Sequence, residues 1–196
     1  MTSAVDVQQA IDGSPAMYCA VAWQGSMLGG FAGLCLETVS ETGPSTAVWI
    51  GAHASMAKVA ETMIRGMGAT GFIGFDFMLE KATGKDYLLE CNPRPIQVGH
   101  LGARIGVDLA GLLAAAIAGR SPTIGPVVAP VGDLKALLFP HALRSKSRHV
   151  DALLDIPWND AGLLRFAGYD QRLTANSTVS PSSQVRRCTL TERPAF

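Results

Sequence analysis

Between residues 54 and 67, Met56, Val59, Ala60, Met63, Ile64 and Met67 recur at steps of three and four, which predicts a helix with one apolar stripe. Lys58, Glu61 and Arg65 fall away from most of that stripe, and Gly66 and Gly68 supply the stop. The methionines of the stripe read as core. Elsewhere the pattern favours strands. Residues 5–11 and 17–23 are expected as two strands about the turn Asp12-Gly13-Ser14-Pro15, and Gln24-Gly25-Ser26 leads into a third from Met27 to about Leu36. Gly29, Gly30 and Gly33 either weaken that strand or mark close backbone approach. Residues 38–46 are expected as a loop, and 72–79 and 86–92 as strands joined by Glu80 to Lys85, with Gly84 giving the positive φ of the turn. A helix over 109–118 follows, with Asp108 as N-cap and Gly119 as stop. It is apolar almost all round, which predicts burial on every side.

Prolines at 122, 126, 130 and 140 mark a change of character, and a short helical segment is expected within 151–166 around the IPWND turn. Past Gly168 the chain is polar and is expected to be loosely ordered. The expected parts are a sheet-and-helix domain over 1–125, a proline-containing helical appendage over 126–170, and a tail over 171–196. The fold class is α+β, an antiparallel sheet backed by helices.

Composition narrows the function. The 196 residues carry 16 Lys+Arg against 16 Asp+Glu, so the basic excess of a general nucleic-acid binder is absent. No apolar run reaches the roughly 18–20 residues that span a bilayer, and the first residues lack a basic start and apolar core. The expected address is the cytoplasm, with neither nucleic acid nor membrane as partner. Cys19, Cys35, Cys91 and Cys188 have no close pairing, which suggests reduced thiols rather than a zinc site or disulfides.

The candidate chemistry lies in GFDFMLEKATGKDYLLECNPRP, residues 74–95. Alternation puts Gly74, Asp76 and Met78 on one face of the first strand, and Glu90, Asn92 and Arg94 on one face of the second. Closing the hairpin symmetrically pairs 79 with 87, 78 with 88, 76 with 90 and 74 with 92. Asp76 then faces Glu90, and two carboxylates about 5 Å apart at an effective dielectric of about 20 repel by roughly 3 kcal/mol. Such a pair raises a carboxyl pKa, recruits a cation such as Arg94, or holds a hard divalent ion. With Asn92 the donors suit Mg²⁺ or Mn²⁺, and Gly74 is expected to leave room for a phosphate ligand. The alternative is a solvated sheet face with no function. Met78 and Leu88 are expected to extend the functional face as an apolar platform, with Phe75, Phe77, Leu79, Tyr87, Leu89 and Cys91 on the core face.

The acidic FDF strand, the glycine turn, LLECNPRPIQVGH and GVDL resemble the ATP-grasp superfamily, near its carbamoyl-phosphate-synthase-like and biotin-carboxylase-like members. VDVQQAIDG resembles the family's hinge strand and GPSTAVW the loop after it, so the resemblance covers about residues 4–121, the carboxyl-terminal part of an ATP-grasp module. It implies ATP- and Mg²⁺-dependent activation of a carboxylate as an acyl phosphate, followed by attack of an amine or other nucleophile. Asp76, Glu90 and Asn92 are implied as metal ligands, Arg94 as the residue that stabilises the transferring phosphoryl or the acyl phosphate, and Gln8, Gln9 and Ile11 as the adenine hinge. Met78 and Leu89 are implied as base contacts, although strict alternation puts those two on opposite faces.

The sequence also departs from the family. It starts almost on the hinge strand, without the pre-grasp domain or the lid whose lysines hold the phosphates, and is expected to be truncated at its N-terminal side or one half of a split enzyme. Lys58, Lys81 and Lys85 are the only lysines in the resembling region, and none sits where a phosphate lysine is expected. Alone, the chain is expected to be a weak catalyst or none, with a separate chain supplying the lid and N-terminal domain. Two other readings stay open: a non-catalytic nucleotide-binding or assembly module, and a degenerate remnant. His100 and Arg104 are weaker candidates for contact with substrate or phosphate. Trp158 reads as a packing anchor, and Arg144, Lys146 and Arg148 as solvated charge.

Overall fold

The computed structural model describes residues 7, 9–40, 43–120, 127–144, 149 and 151–169. Its frame is one seven-stranded sheet in the order β5-β4-β1-β2-β3-β6-β7. The strands are β1 (Gly13–Trp23), β2 (Ser26–Thr38), β3 (Ser45–Gly51), β4 (Gly71–Glu80), β5 (Asp86–Asn92), β6 (Leu134–Leu138) and β7 (Leu153–Asp155). Every pairing is antiparallel except β6 with β7, which is parallel. Among the described residues three α-helices accompany the sheet: α1 (Ala54–Met67), α2 (Leu109–Ile117) and α3 (Ala161–Phe166). The α+β expectation holds, with the correction that the sheet is mixed at one edge.

Both faces of the sheet are covered. On one, the stripe of α1 (Met56, Ala60, Ile64) packs with Tyr18, Phe75 and Phe77. On the other, α2 and a 3-10 turn over Gly99–Ile105 cover Cys19, Val21, Phe31, Val48 and Ile50. Burial on both sides explains why the central strands read as near-continuous apolar runs.

α1 ends as its sequence predicts. Gly68 is left-handed at φ 60, and its N–H donates to the carbonyls of Ile64 and Arg65. The glycines of β2 are contact positions: a Cβ on Gly30 would meet the Tyr18 ring at 2.6 Å, and one on Gly29 would meet Leu112 of α2 at 2.6 Å. Asp108 caps α2 by accepting from the Gly111 N–H, and Gly119 follows at φ 65. Gly84, at φ 69, turns the β4–β5 hairpin as predicted.

Several expectations fail for physical reasons. Gly13, Ser14 and Pro15 are the start of β1 rather than a turn, in register with Glu80, Leu79 and Met78 of β4. Pairing with β2 begins only at Ala16, so Pro15 lies where β1 has a single neighbour, a setting in which a strand tolerates proline. Of the expected strand at 5–11, residues 5, 6 and 8 lie outside the described residues, and 7 and 9–12 carry no strand. β3 starts inside the expected loop, and β6 and β7 extend the sheet where helical structure is expected. Within 151–166 only α3 is helical, capped by Asp160 through the Leu163 N–H. α2 is half-covered rather than buried all round, with Ile117 64% exposed.

Candidate functional site at the β4–β5 edge

β5 is the last strand of the sheet, so whatever projects from it near β4 borders open space. Asp76 pairs with Glu90 and Gly74 with Asn92, as hairpin closure predicts. Asn92 Nδ2 donates to Asp76 Oδ2 at 3.0 Å. Burial raises the Asp76 carboxyl pKa, and Glu90 raises it further through its charge and through a hydrogen bond between the two carboxyls. The Arg94 charge and the Asn92 hydrogen bond oppose the rise without reversing it. Arg94 is exposed beyond a tight turn closed by its N–H on the Asn92 carbonyl, and its guanidinium donates to the Pro95 carbonyl at 3.4 Å.

The register shifts between Asp76 and Phe77, and from there Phe77 pairs with Leu88, Met78 with Tyr87 and Leu79 with Asp86. Leu89 is the extra residue of a β-bulge and is 51% exposed. The expected pairings of 78 with 88 and 79 with 87 are therefore corrected. Leu88 packs into the α1-side core, and Tyr87 takes its place opposite Met78. Phe75, Phe77, Leu79 and Cys91 do lie on the core side as expected. The bulge also removes the alternation that sets Leu89 against Met78.

Gly74 does not leave the room expected above it. A Cβ there would collide with Cγ2 of Ile96, which occupies the space.

Of the implied hinge residues, Gln8 lies outside the described residues, Gln9 is exposed and Ile11 half-buried. Their segment is anchored beside the hairpin. The Lys81 N–H donates to the Asp12 carbonyl at 3.0 Å, and Lys81 Nζ pairs with Asp12 Oδ1 at 2.8 Å. Gln9 and Ile11 lie within three residues of that anchor, at the Met78 end of β4. Sequence reading sees Lys81 only as a misplaced phosphate lysine; here it ties the segment before β1 to the hairpin.

Among the described residues no cluster of three His, Cys, Asp or Glu could hold a metal ion. The donor set is two carboxylates and one amide, which suits a hard ion completed by water or phosphate oxygens. Cys19, beneath Gly74 in the β1–β4 register, adds no thiolate, because burial and then the Asp76 charge push its pKa up. Arg104 is exposed and joins no cluster with the carboxylates. His100 is held elsewhere: its Nε2 lies 2.8 Å from Oδ1 of Asp155 on β7, a partner that nothing in the sequence signals.

No family model and no curated protein matches the chain. Solved structures similar to it include an L-amino acid ligase from Bacillus licheniformis, at 17% identity and TM-score 0.46, over 65% of this chain and 34% of that one. Another is the N5-carboxyaminoimidazole synthetase from Staphylococcus aureus complexed with ADP, at 12% and 0.49, over 65% and 35%. A third is the biotin carboxylase domain of a single-chain bacterial carboxylase, at 20% and 0.47, over 65% and 33%. The chain spans about a third of the length of each of these structures.

Proposed function

We propose that this chain carries the metal-and-nucleotide half of an ATP-dependent carboxylate-activating site, the carboxyl-terminal part of an ATP-grasp module. One observation carries the reading: the two carboxylates of a sheet edge stand opposite each other, one of them held half-buried and bonded to Asn92. An acid pair of that kind is a standing cost unless a proton or cation occupies it. Asp76, Glu90 and Asn92 would hold Mg²⁺, which when bound supplies the charge that neutralises and orients the phosphates. Arg94, exposed at the end of β5 with a planar set of donors, would take the oxygens of the transferring phosphoryl or of the acyl phosphate. Gln8, Gln9 and Ile11 would border the base, with Met78 and the bulged Leu89 against its plane. The co-substrates are ATP and a carboxylate.

The lysines favour a divided site. Lys81 is engaged by Asp12, Lys85 lies 4.6 Å from the Tyr87 ring centroid, Lys135 pairs with Asp151, and Lys58 projects from α1. None of these four is committed to the carboxylate pair, so phosphate-binding lysines would come from a further segment or a second chain. A nucleotide-binding module that acquires turnover only with that partner is the form this observation favours.

The test is isothermal titration of the chain with a non-hydrolysable ATP analogue, with and without Mg²⁺. Magnesium-dependent binding that Glu90→Gln weakens at least tenfold is expected. Magnesium-independent binding, or none by a chain that melts cooperatively, would overturn the reading.

A further inference from the structure

α2 covers the sheet with one side only. Leu109 and Ala116 are buried, whereas Ala110, Gly111, Ala114, Ile117 and Ala118 are exposed. At 3.6 residues per turn these five share one face about 120° wide, with Ala114 at its middle. The face carries no polar side chain, and its bulkiest member, Ile117, is 64% exposed. A contiguous apolar face marks a contact surface in a way that a lone exposed residue does not.

The charges at the two ends of α2 say what covers it. Asp108 stands six residues before Ala114 and Arg120 six after it. Both are exposed, and among the described residues neither joins an ion pair. Asp108 accepts from the Gly111 N–H through Oδ1 at 3.0 Å. Its Oδ2 leans over Gly111, in the space a Cβ would need, so the negative charge lies at the edge of the apolar face. Arg120 is held to the last turn by its N–H on the Ala115 carbonyl at 2.9 Å. Acid and base thus lie at equal distances from Ala114, about 9 Å each at a rise of 1.5 Å per residue. A second copy of α2, turned antiparallel about Ala114, brings each Arg120 level with Asp108 of the other copy. The same turn sets each Ile117 against Ala110 of the other copy, and each Ala118 against Gly111, so a large side chain meets a small one.

We propose that α2 is the contact face of a two-fold symmetric dimer of this chain, closed by two Asp108–Arg120 pairs between copies. The interface is isologous, and one pattern therefore serves both sides. One nine-residue helix per copy is a small contact, so the dimer is expected to depend on concentration. The inference rests on α2 alone and does not need the nucleotide reading.

The experiment is sedimentation equilibrium of the full chain from about 10 μM to about 1 mM, a range that reveals weak association. A reversible monomer–dimer equilibrium is expected. Ala114→Glu sets two like charges face to face at the axis, on an exposed position where glutamate suits a helix. It is expected to weaken dimerisation at least tenfold and to leave the melting temperature of the dilute monomer unchanged. Arg120→Glu, beyond the end of the helix, is expected to weaken it at least fivefold, and keeps the test valid if Ala114→Glu fails to fold. Adding Asp108→Asn, which keeps the cap because asparagine caps as well as aspartate, is expected to recover part of the Arg120→Glu loss. Three results would overturn the proposal. A cooperatively melting chain that stays monomeric at about 1 mM leaves the face to a different protein or to another part of this chain. A dimer that survives Ala114→Glu uses a different surface. A dimer indifferent to Arg120→Glu, or one that Asp108→Asn does not restore, lacks the antiparallel charge pairing.

Discussion

Asp76 is the residue on which stability and candidate chemistry meet. Its carboxyl pKa is raised by burial and by Glu90, so the folded state binds this proton more tightly than the unfolded chain does. Stability linked to Asp76 is therefore greatest below the ordinary carboxylate pKa, and falls as pH rises from there through the raised value. Above that window the penalty is complete. Asp76→Asn, which keeps an acceptor for Asn92, is expected to melt higher than the parent at neutral pH and no higher near pH 3. The gain is ~1 kcal/mol or less, because the site is partly screened by solvent, equivalent to about 2–4 °C at most. Mg²⁺ at tenfold its Kd should stabilise the parent by about 1.4 kcal/mol and the variant by much less. Thermal melts with and without Mg²⁺ read both effects, and an equal metal response in the two proteins would remove Asp76 from the metal site. Period-two alternation and an assumed hairpin suffice to put this pair together on paper. Ile96 over Gly74 is invisible to that reasoning, because it depends on how the loop folds back after β5.

At the scale of elements, the β4–β5 hairpin shows how a correct pairing can emerge from an incorrect tip. The turn closes at Leu79 with Asp86, one residue tighter than symmetric closure, and the bulge at Leu89 restores the register at Asp76 and Glu90. The two one-residue departures cancel from Asp76 back to Gly74, which is why the Asp76–Glu90 and Gly74–Asn92 pairings were legible and the apolar platform was not. α1 was legible to its ends because its stripe and its glycine stop are local signals. β3, β6 and β7 were not: each is short, and the β3–β6 pairing joins residues far apart in the chain, with no local periodicity to announce it. The loop after β5 yields a prediction of its own. Gly74→Ala should destabilise by about 1–3 kcal/mol through its collision with Ile96. Pairing it with Ile96→Ala, which removes the colliding Cγ2, should recover part of that loss, a coupling that separate sites would not show. Denaturant melts of the two single variants and the double variant measure it, and strict additivity would mean that Ile96 does not cover Gly74.

At the scale of the whole molecule, the loop that leaves the carboxylate edge crosses one face of the sheet and is fastened near the opposite edge. Leu101, Ile105 and Val107 bury against that face, and His100 reaches Asp155 on β7, the strand farthest from β5 in the sheet order. Mostly apolar packing therefore ends in one titratable contact. The His100 pKa is raised first by the Asp155 hydrogen bond, with burial opposing and the Asp155 charge and Gln97 carbonyl adding to it. The linkage sign is opposite in cause to that of a depressed acid: stability from this bridge is fully present below the ordinary histidine pKa and is lost as pH rises through the raised one. The imidazole is more than half exposed, so the contribution is ~1 kcal/mol or less after screening. Asp155→Asn should lower the His100 pKa toward its ordinary value, followed by the ring-proton shift in an NMR titration. It should also flatten the decline in stability above about pH 6.5. If His100 titrates identically in both proteins, the contact to β7 does not persist in solution. If it shifts while amide exchange in residues 99–105 accelerates, the bridge from Asp155 holds this loop across the sheet, and its fastening depends on a residue from the far side of the fold.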